Sequence, residues 1–381
     1  MMRKTFFFVL MVSLVSAPAM AFQIGSAFTN PCHESITLKG FFADDNLQGE
    51  NTLIPSGAFE NNEVPDDAIW LEVAKYLEAQ IDYQFKTDFE RFLAITLFIG
   101  VRYPDLAHFS LTDINSMRSL HMAEEGQEAH ALRSDVDDHA QGNELAVLAT
   151  RAYIIEQIDL AYEAFQNSRT SANAPITVDS LKAQSAKVRF YLEYYGTIRV
   201  DVWTPLFLVG KAVHALQDSF SHSYRSEDTL TIYAVGNYLE AMSSDYVEER
   251  DGPRHSNHQD DCELEAVMPL VDSSVLATRE IFSAAREYFI VPKDNAEGIA
   301  QARANIEIVL DKWMHYQPGC DYSTNYCDTP WAPLAKSSET FPILSCSSQI
   351  GSNTSGYSGA WITGLMLTLW MMRRRRLSTQ R

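Results

Sequence analysis

The most chemically suggestive spacing in the chain lies in segment 208–222. His214, Asp218 and His222 stand at i, i+4 and i+8. On a helix each step of four returns to nearly the same face, so the three groups would form one stripe. Imidazole and carboxylate on adjacent turns can chelate one cation. Their neighbours Val209, Ala212, Val213, Leu216 and Phe220 are apolar. A buried Asp among such residues needs compensation, which a metal ion supplies. A hydrogen-bonded polar cluster would explain one His better than three aligned groups.

A helix of this kind needs a frame. The 202–223 run is strongly apolar for its length and reads as a central, buried helix. Apolar residues recur at helical spacing through 68–98, 144–166 and 178–195, and 229–248, 263–289 and 296–315 complete the set. Strand-like alternation is nearly absent, and no internal repeat or linker divides the body. The expectation is an all-α fold, a single mostly helical domain over 22–345. Long loops fall at 46–66, 105–142, 250–261 and 319–345, where a helical frame carries function or insertions.

Charge narrows the partners. The 381 residues carry 50 acids and 30 bases, a net charge of −20. All 50 acids but only 23 of the bases fall in 22–345, leaving −27 there. Such a body repels polyanions, so long nucleic acid is not an expected partner. Hydrophobic residues make up 46% and aromatics 11%, which excludes a disordered acidic tail. Ten His beside many carboxylates point to divalent metal instead.

The ends read as addresses. Arg3-Lys4, the apolar run 5–15 and Ala19-Met20-Ala21 fit a secretory signal over 1–21, with cleavage making Phe22 the first residue. A polar spacer (346–358) precedes an apolar run (359–372) and Arg373–Arg376. That run is short for a membrane span, though its arginines suit a cytoplasmic end. The 359–381 layout resembles the C-terminal sorting tails of Gram-negative surface and secreted proteins. Ser358-Gly359-Ala360-Trp361 is similar to the Gly-rich type, and Cys346 to the cysteine-bearing type. The resemblance implies export to the periplasm, outer surface or medium, a sorting protease as partner, and membrane contact through the C-terminal segment. An exported chain permits disulfides. Cys320 and Cys327 enclose a short loop suited to a local bridge, and Cys346 is the odd cysteine.

His-Ala-Leu-Gln-Asp-Ser-Phe-Ser-His at 214–222 resembles the metal helix of the zinc-dependent phospholipase C and single-strand nuclease superfamily. The resemblance covers most of the body through scattered short motifs. It implies an all-helical fold with two or three zinc ions. It also implies that the free amine of Phe22 is a ligand, an α-amine titrating at about pH 8, and that His33 is the early His. Asp105 would be both ligand and catalytic base, presented after a helix ending at Gly100 with Pro104 forcing an extended approach. His130 would be the next ligand, with His108 and His121 competing and His139 at the surface. In the 251–262 loop the family's His-x-x-x-Glu pair is missing: Gln259 stands four after His255, and Cys262 four after His258. His258 and Asp261, with His222, are the expected substitutes, and His255 is a further candidate. Asp260 and Asp261 also suit a helix start. His222 stands in for the family's second helix His, whose place here is Tyr224. Because Cys32 adjoins His33 and Cys262 adjoins Asp261, a shared cleft implies a Cys32–Cys262 disulfide. His315 reads as structural.

The resulting expectation is an exported zinc-dependent phosphodiester hydrolase, phospholipase C-like, acting on phospholipid or another phosphodiester. A nuclease or nucleotidase of the same superfamily and a non-catalytic zinc-binding surface protein are the alternatives.

Overall fold

The 68–98 run is two helices, not one. In the computed structural model, α1 spans Cys32–Phe41, α2 Ala68–Ile81 and α3 Asp88–Leu106. Thr87 makes the break: its backbone is extended, and its side chain accepts the Glu90 N–H as an N-cap. The structure describes residues 23–337 apart from 24, 26–28, 44–46, 48, 66–67, 111–112, 135–140, 172–173, 194 and 256–257. The leader, Phe22, His139, Cys346, the spacer and the C-terminal segment lie outside the described residues. The chain divides into Met1–Thr340 and Phe341–Arg381, the second wholly outside them. Among the described residues no helix is long and apolar enough to cross a membrane.

Helix α4 (Ile114–His121) lies within the 105–142 loop, and α5 spans Gly142–Asn167. The central helix is α7, Thr204–Ser221, with Pro205 in its first turn, where a missing N–H costs nothing. Around it pack α1, α3, α5 and α9 (Met268–Phe289), with α10 (Ala296–Trp313) against α9. Helices α6 (Val178–Ala183), α8 (Glu248–Asp251) and α11 (Ala332–Ser337) are short. Helix α3 does not end at Gly100, as expected, but runs through Pro104. Gly100 is instead where α3 meets α7 at Gly210.

The all-α expectation is overturned by two small sheets. With 56% helix and 12% strand the fold is mixed α/β. Two stretches expected to be helical supply strands. Residues 178–195 hold α6 and then β1 (Ser185–Leu192), which pairs antiparallel with β2 (Gly196–Trp203). Val188, Phe190, Leu192, Val200 and Val202 are buried, while Lys187, Arg189, Arg199 and Asp201 face out, a period of two. Gly196, at φ 76°, makes the turn. Residues 229–248 hold β4 (Thr231–Val235), which joins β3 (Ser223–Arg225) and β5 (His315–Tyr316) in the order β3-β4-β5. Thr231, Ile232, Tyr233 and Val235 are β-branched or aromatic, which suits a pleated strand. His315 thus belongs to β5.

Both expected disulfides are present. Cys32–Cys262 ties the start of α1 to the loop before α9, and Cys320–Cys327 closes a local loop.

Candidate metal centre

Four elements deliver six of the side chains. His33 lies on the first turn of α1, Asp105 on the last turn of α3, and His130 ends a 3₁₀ turn at Gln127–His130. His214 and Asp218 lie on α7, with His222 at its C-cap. One turn before Asp105, Arg102 pairs with Glu34, the neighbour of His33, and Arg102 also donates to the Gly25 carbonyl at 2.9 Å. That buried pair locks α1 to α3 and so sets His33 against Asp105.

The loops converge on residues 236–237. The Gly236 N–H donates to the His222 carbonyl (2.7 Å), and the Gly236 carbonyl accepts from Arg133 N–H (3.0 Å). Asn237 pairs in parallel bridges with Arg133 and Arg254, and its side-chain amide donates to the Asp251 carbonyl. This segment therefore holds the His130 loop and the His255 loop beside the end of α7.

Asp105 and Asp218 sit at the middle of the first cluster. The His33 Nε2 lies 3.0 Å from Asp218 and 3.9 Å from Asp105. The His130 Nδ1 is 3.5 Å from each carboxylate. The His214 Nε2 is 3.0 Å from Asp218 and 3.6 Å from Asp105. His121 joins Asp105 and His130, its Nε2 2.9 Å from the Asp105 carbonyl. A second cluster comprises His222, His255 and Asp260, with Asp260 3.7 Å from His222 and 3.2 Å from His255. The Nδ1 of His222 is directed at the His130 carbonyl, which leaves Nε2 facing Asp260. These buried His/Asp clusters could hold metal ions.

The carboxylates show why. All three are at most 1% exposed. None of the carboxylate oxygens of Asp105, Asp218 or Asp260 takes part in a hydrogen bond of good geometry. Buried oxygens without donors are costly, and a cation between them and the imidazoles would relieve that cost.

The protonation of the metal-free cluster reflects the same crowding. Burial disfavours charge on His33, but Asp218 and then Asp105 outweigh it and raise its pKa to about 9. His130 is raised too, burial again opposing and the same carboxylates prevailing. Asp218 is held well below the usual range: burial works against its charge, and His214, His222 and His33 overcome it. In the second cluster burial wins. It pushes His222 and His255 down to about 4 and Asp260 well above its usual value. Burial, reinforced by His130, also lowers His121 to about 4.

Of the residues singled out from the sequence, His33, Asp105, His130, His214 and Asp218, with the competing His121, fall in the first cluster, whereas His222 and His255 fall in the second. His258, Asp261 and His108 are not in these groups. Asp261 is half-buried, and its carboxylate instead accepts the Glu263 N–H (3.0 Å) and Asn30 Nδ2 (3.4 Å). Asp260 is buried and faces His222 and His255, whereas Asp261 is half-buried and engaged with the backbone that follows it. His258 is half-buried beyond the cluster, while the bridge from Asn237 to Arg254 brings His255 in. His108 lies just past the end of α3, its ring tilted against Phe109. Asp260 is the ligand-type residue that the sequence reading assigned to a helix start, and Gln217, bonded to His33, was not singled out.

Comparison with protein-family models, with curated proteins and with solved structures finds no match.

Proposed function

We propose that this chain is an exported zinc-dependent phosphodiester hydrolase of the phospholipase C-like type. The observation that carries the reading is the pair of Asp105 and Asp218, buried among His33, His130 and His214 with no well-aligned hydrogen bond to either carboxylate. Six imidazoles and three carboxylates form a nitrogen-rich donor set, which favours zinc over calcium or magnesium. The three carboxylates, ionised together, would be nearly balanced by two divalent ions, and a third would add positive charge for a phosphate. Asp218 and Asp105, with His33, His130 and His214, would hold zinc in the first cluster. His222, His255 and Asp260 would hold another.

Bound zinc would neutralise the phosphoryl oxygens and lower the pKa of a water. Asp105 is the residue we assign to orient that water and accept its proton. As the water oxygen bonds to phosphorus and the ester oxygen leaves, the proton would pass to the leaving alkoxide. The C-terminal segment would contribute membrane contact and sorting.

Hydrolysis of diacyl phosphatidylcholine, single-stranded DNA and nucleoside monophosphates tests this, before and after chelation. Chelator-sensitive turnover of phosphatidylcholine, restored by zinc, is the expected result. Turnover of the nucleic-acid substrates alone would move the reading to a nuclease or nucleotidase. The near-complete burial of the cluster favours one other reading, a non-catalytic surface protein whose zinc holds the fold. Full zinc loading without turnover of any arm would establish that instead.

A further inference from the structure

We infer that Gln217 is a positioning residue whose amide decides which nitrogen of His33 meets the metal. The inference rests on the metal-centre reading above. Gln217 is buried on α7, immediately before Asp218. Its Oε1 lies 2.6 Å from His33 Nδ1. Its Nε2 donates to the hydroxyls of Thr37 (2.9 Å) and Thr278 (3.3 Å).

The two ends of an amide are chemically opposite, so orientation matters. A metal shared with Asp105 and Asp218 needs a lone pair on His33 Nε2, which faces both. The ring proton must then sit on Nδ1, and Nδ1–H needs an acceptor. Oε1 of Gln217 is that acceptor. With the amide reversed, its NH₂ would face Nδ1, the proton would move to Nε2, and His33 would be closed as a ligand.

Two hydroxyls anchor the amide beside His33. Thr37 is one turn beyond His33 on α1. The Thr278 methyl sits against Gly40, where any Cβ would collide, so its hydroxyl is left to face Gln217. One side chain thus ties α1, α7 and α9 to a single imidazole. Being neutral, it fixes the proton without adding a fourth negative charge to three carboxylates. Outer partners of metal-bound His commonly act this way, and their loss costs about 10–100-fold in metal affinity.

The test combines zinc affinity, by competition with a chromophoric chelator, with imidazole ¹⁵N spectra of the full chain, zinc-loaded and metal-free. In the wild-type protein His33 should bind zinc through Nε2 and keep a slowly exchanging Nδ1–H. Gln217→Leu should lose that protected proton and bind zinc about 10–100-fold more weakly. Gln217→Glu, which keeps the acceptor, should retain both properties. Gln217→Leu with unchanged affinity and spectrum would overturn the inference, as would zinc on Nδ1 in the wild type. Should Gln217→Leu fail to fold, the wild-type spectrum and Gln217→Glu decide. A protein that binds no zinc would remove the metal reading alone. The metal-free spectrum would still decide here, because His33 Nδ1–H without protection contradicts the contact.

Discussion

Gly100 and Gly210 meet backbone to backbone. A Cβ on Gly210 would lie 2.5 Å from the Leu97 carbonyl oxygen and 2.8 Å from Gly100 Cα, and one on Gly100 would strike the Phe207 carbonyl. None of these atoms can move without moving a helix. Asp105 stands five residues beyond Gly100 and His214 four beyond Gly210. The crossing of α3 and α7 therefore sets the spacing between two ligand-type side chains. Gly210→Ala should destabilise by about 1–3 kcal/mol through overpacking, outweighing a helix-propensity gain of about 1 kcal/mol. Urea unfolding measures this, and a neutral or stabilising outcome would contradict the close packing.

Asp105 and Asp218 carry different expected losses. Asp218→Asn removes charge from between three imidazoles and should strip zinc. Asp105→Asn should lower kcat by about 10²–10⁴, the usual span for a general base, with a smaller loss of metal. Paired metal analysis and kinetics separate the two. Equal zinc loss with equal kinetic loss would deny Asp105 a role in proton transfer.

The metal-free protein should resist zinc at low pH. His33 keeps its proton up to about pH 9, so near neutrality both ring nitrogens are protonated. Its folded pKa lies above the ordinary 6.5, so the charged ring stabilises the metal-free fold fully below 6.5 and loses that effect as pH rises through about 9. His222 and His255 have the opposite sign. Their folded pKa near 4 makes the metal-free fold lose stability as pH falls from 6.5 to 4. Zinc binding at pH 7 should release at least one proton, and affinity should rise towards pH 9. Calorimetry in buffers of different ionisation enthalpy reads the proton count. Zinc binding with no proton release would show that His33 is not displaced.

The two disulfides should differ in effect. Cys32–Cys262 spans a separation of 230 residues, with Cys32 next to His33 and Cys262 two places after Asp260, whereas Cys320–Cys327 spans 7. Replacing Cys32 and Cys262 by Ser should cost about 2–5 kcal/mol and weaken zinc binding. The same change at Cys320 and Cys327 should leave zinc binding intact. Thermal unfolding with metal titration would reverse this ranking if the long bridge were only peripheral.

The His214–Asp218 pair was legible because one periodicity governs α7, whereas His222, at the C-cap, joins the second cluster instead of extending the stripe. Asp105 was found for a reason the fold does not share: the signal was a helix stop at Gly100, but the glycine serves a helix crossing. Cys32–Cys262 followed from sequence neighbours of ligand candidates. Loop residues were less legible. No periodicity tells Asp260 from Asp261, or His255 from His258, and for His255 the choice follows from the distant pairing of Asn237 with Arg254. The β1–β2 hairpin was hidden because 185–192 continues a helix-compatible composition, and its alternation has meaning only once the partner strand covers it.

Metal content of the protein cleaved after Ala21, purified without chelator and without a tag before Phe22, is the most direct measurement. The expected result is two or three zinc ions per chain, falling on His214→Ala or Asp218→Ala. A folded protein that contains no zinc, and takes up none on addition, would contradict the metal centre and the hydrolytic function built on it.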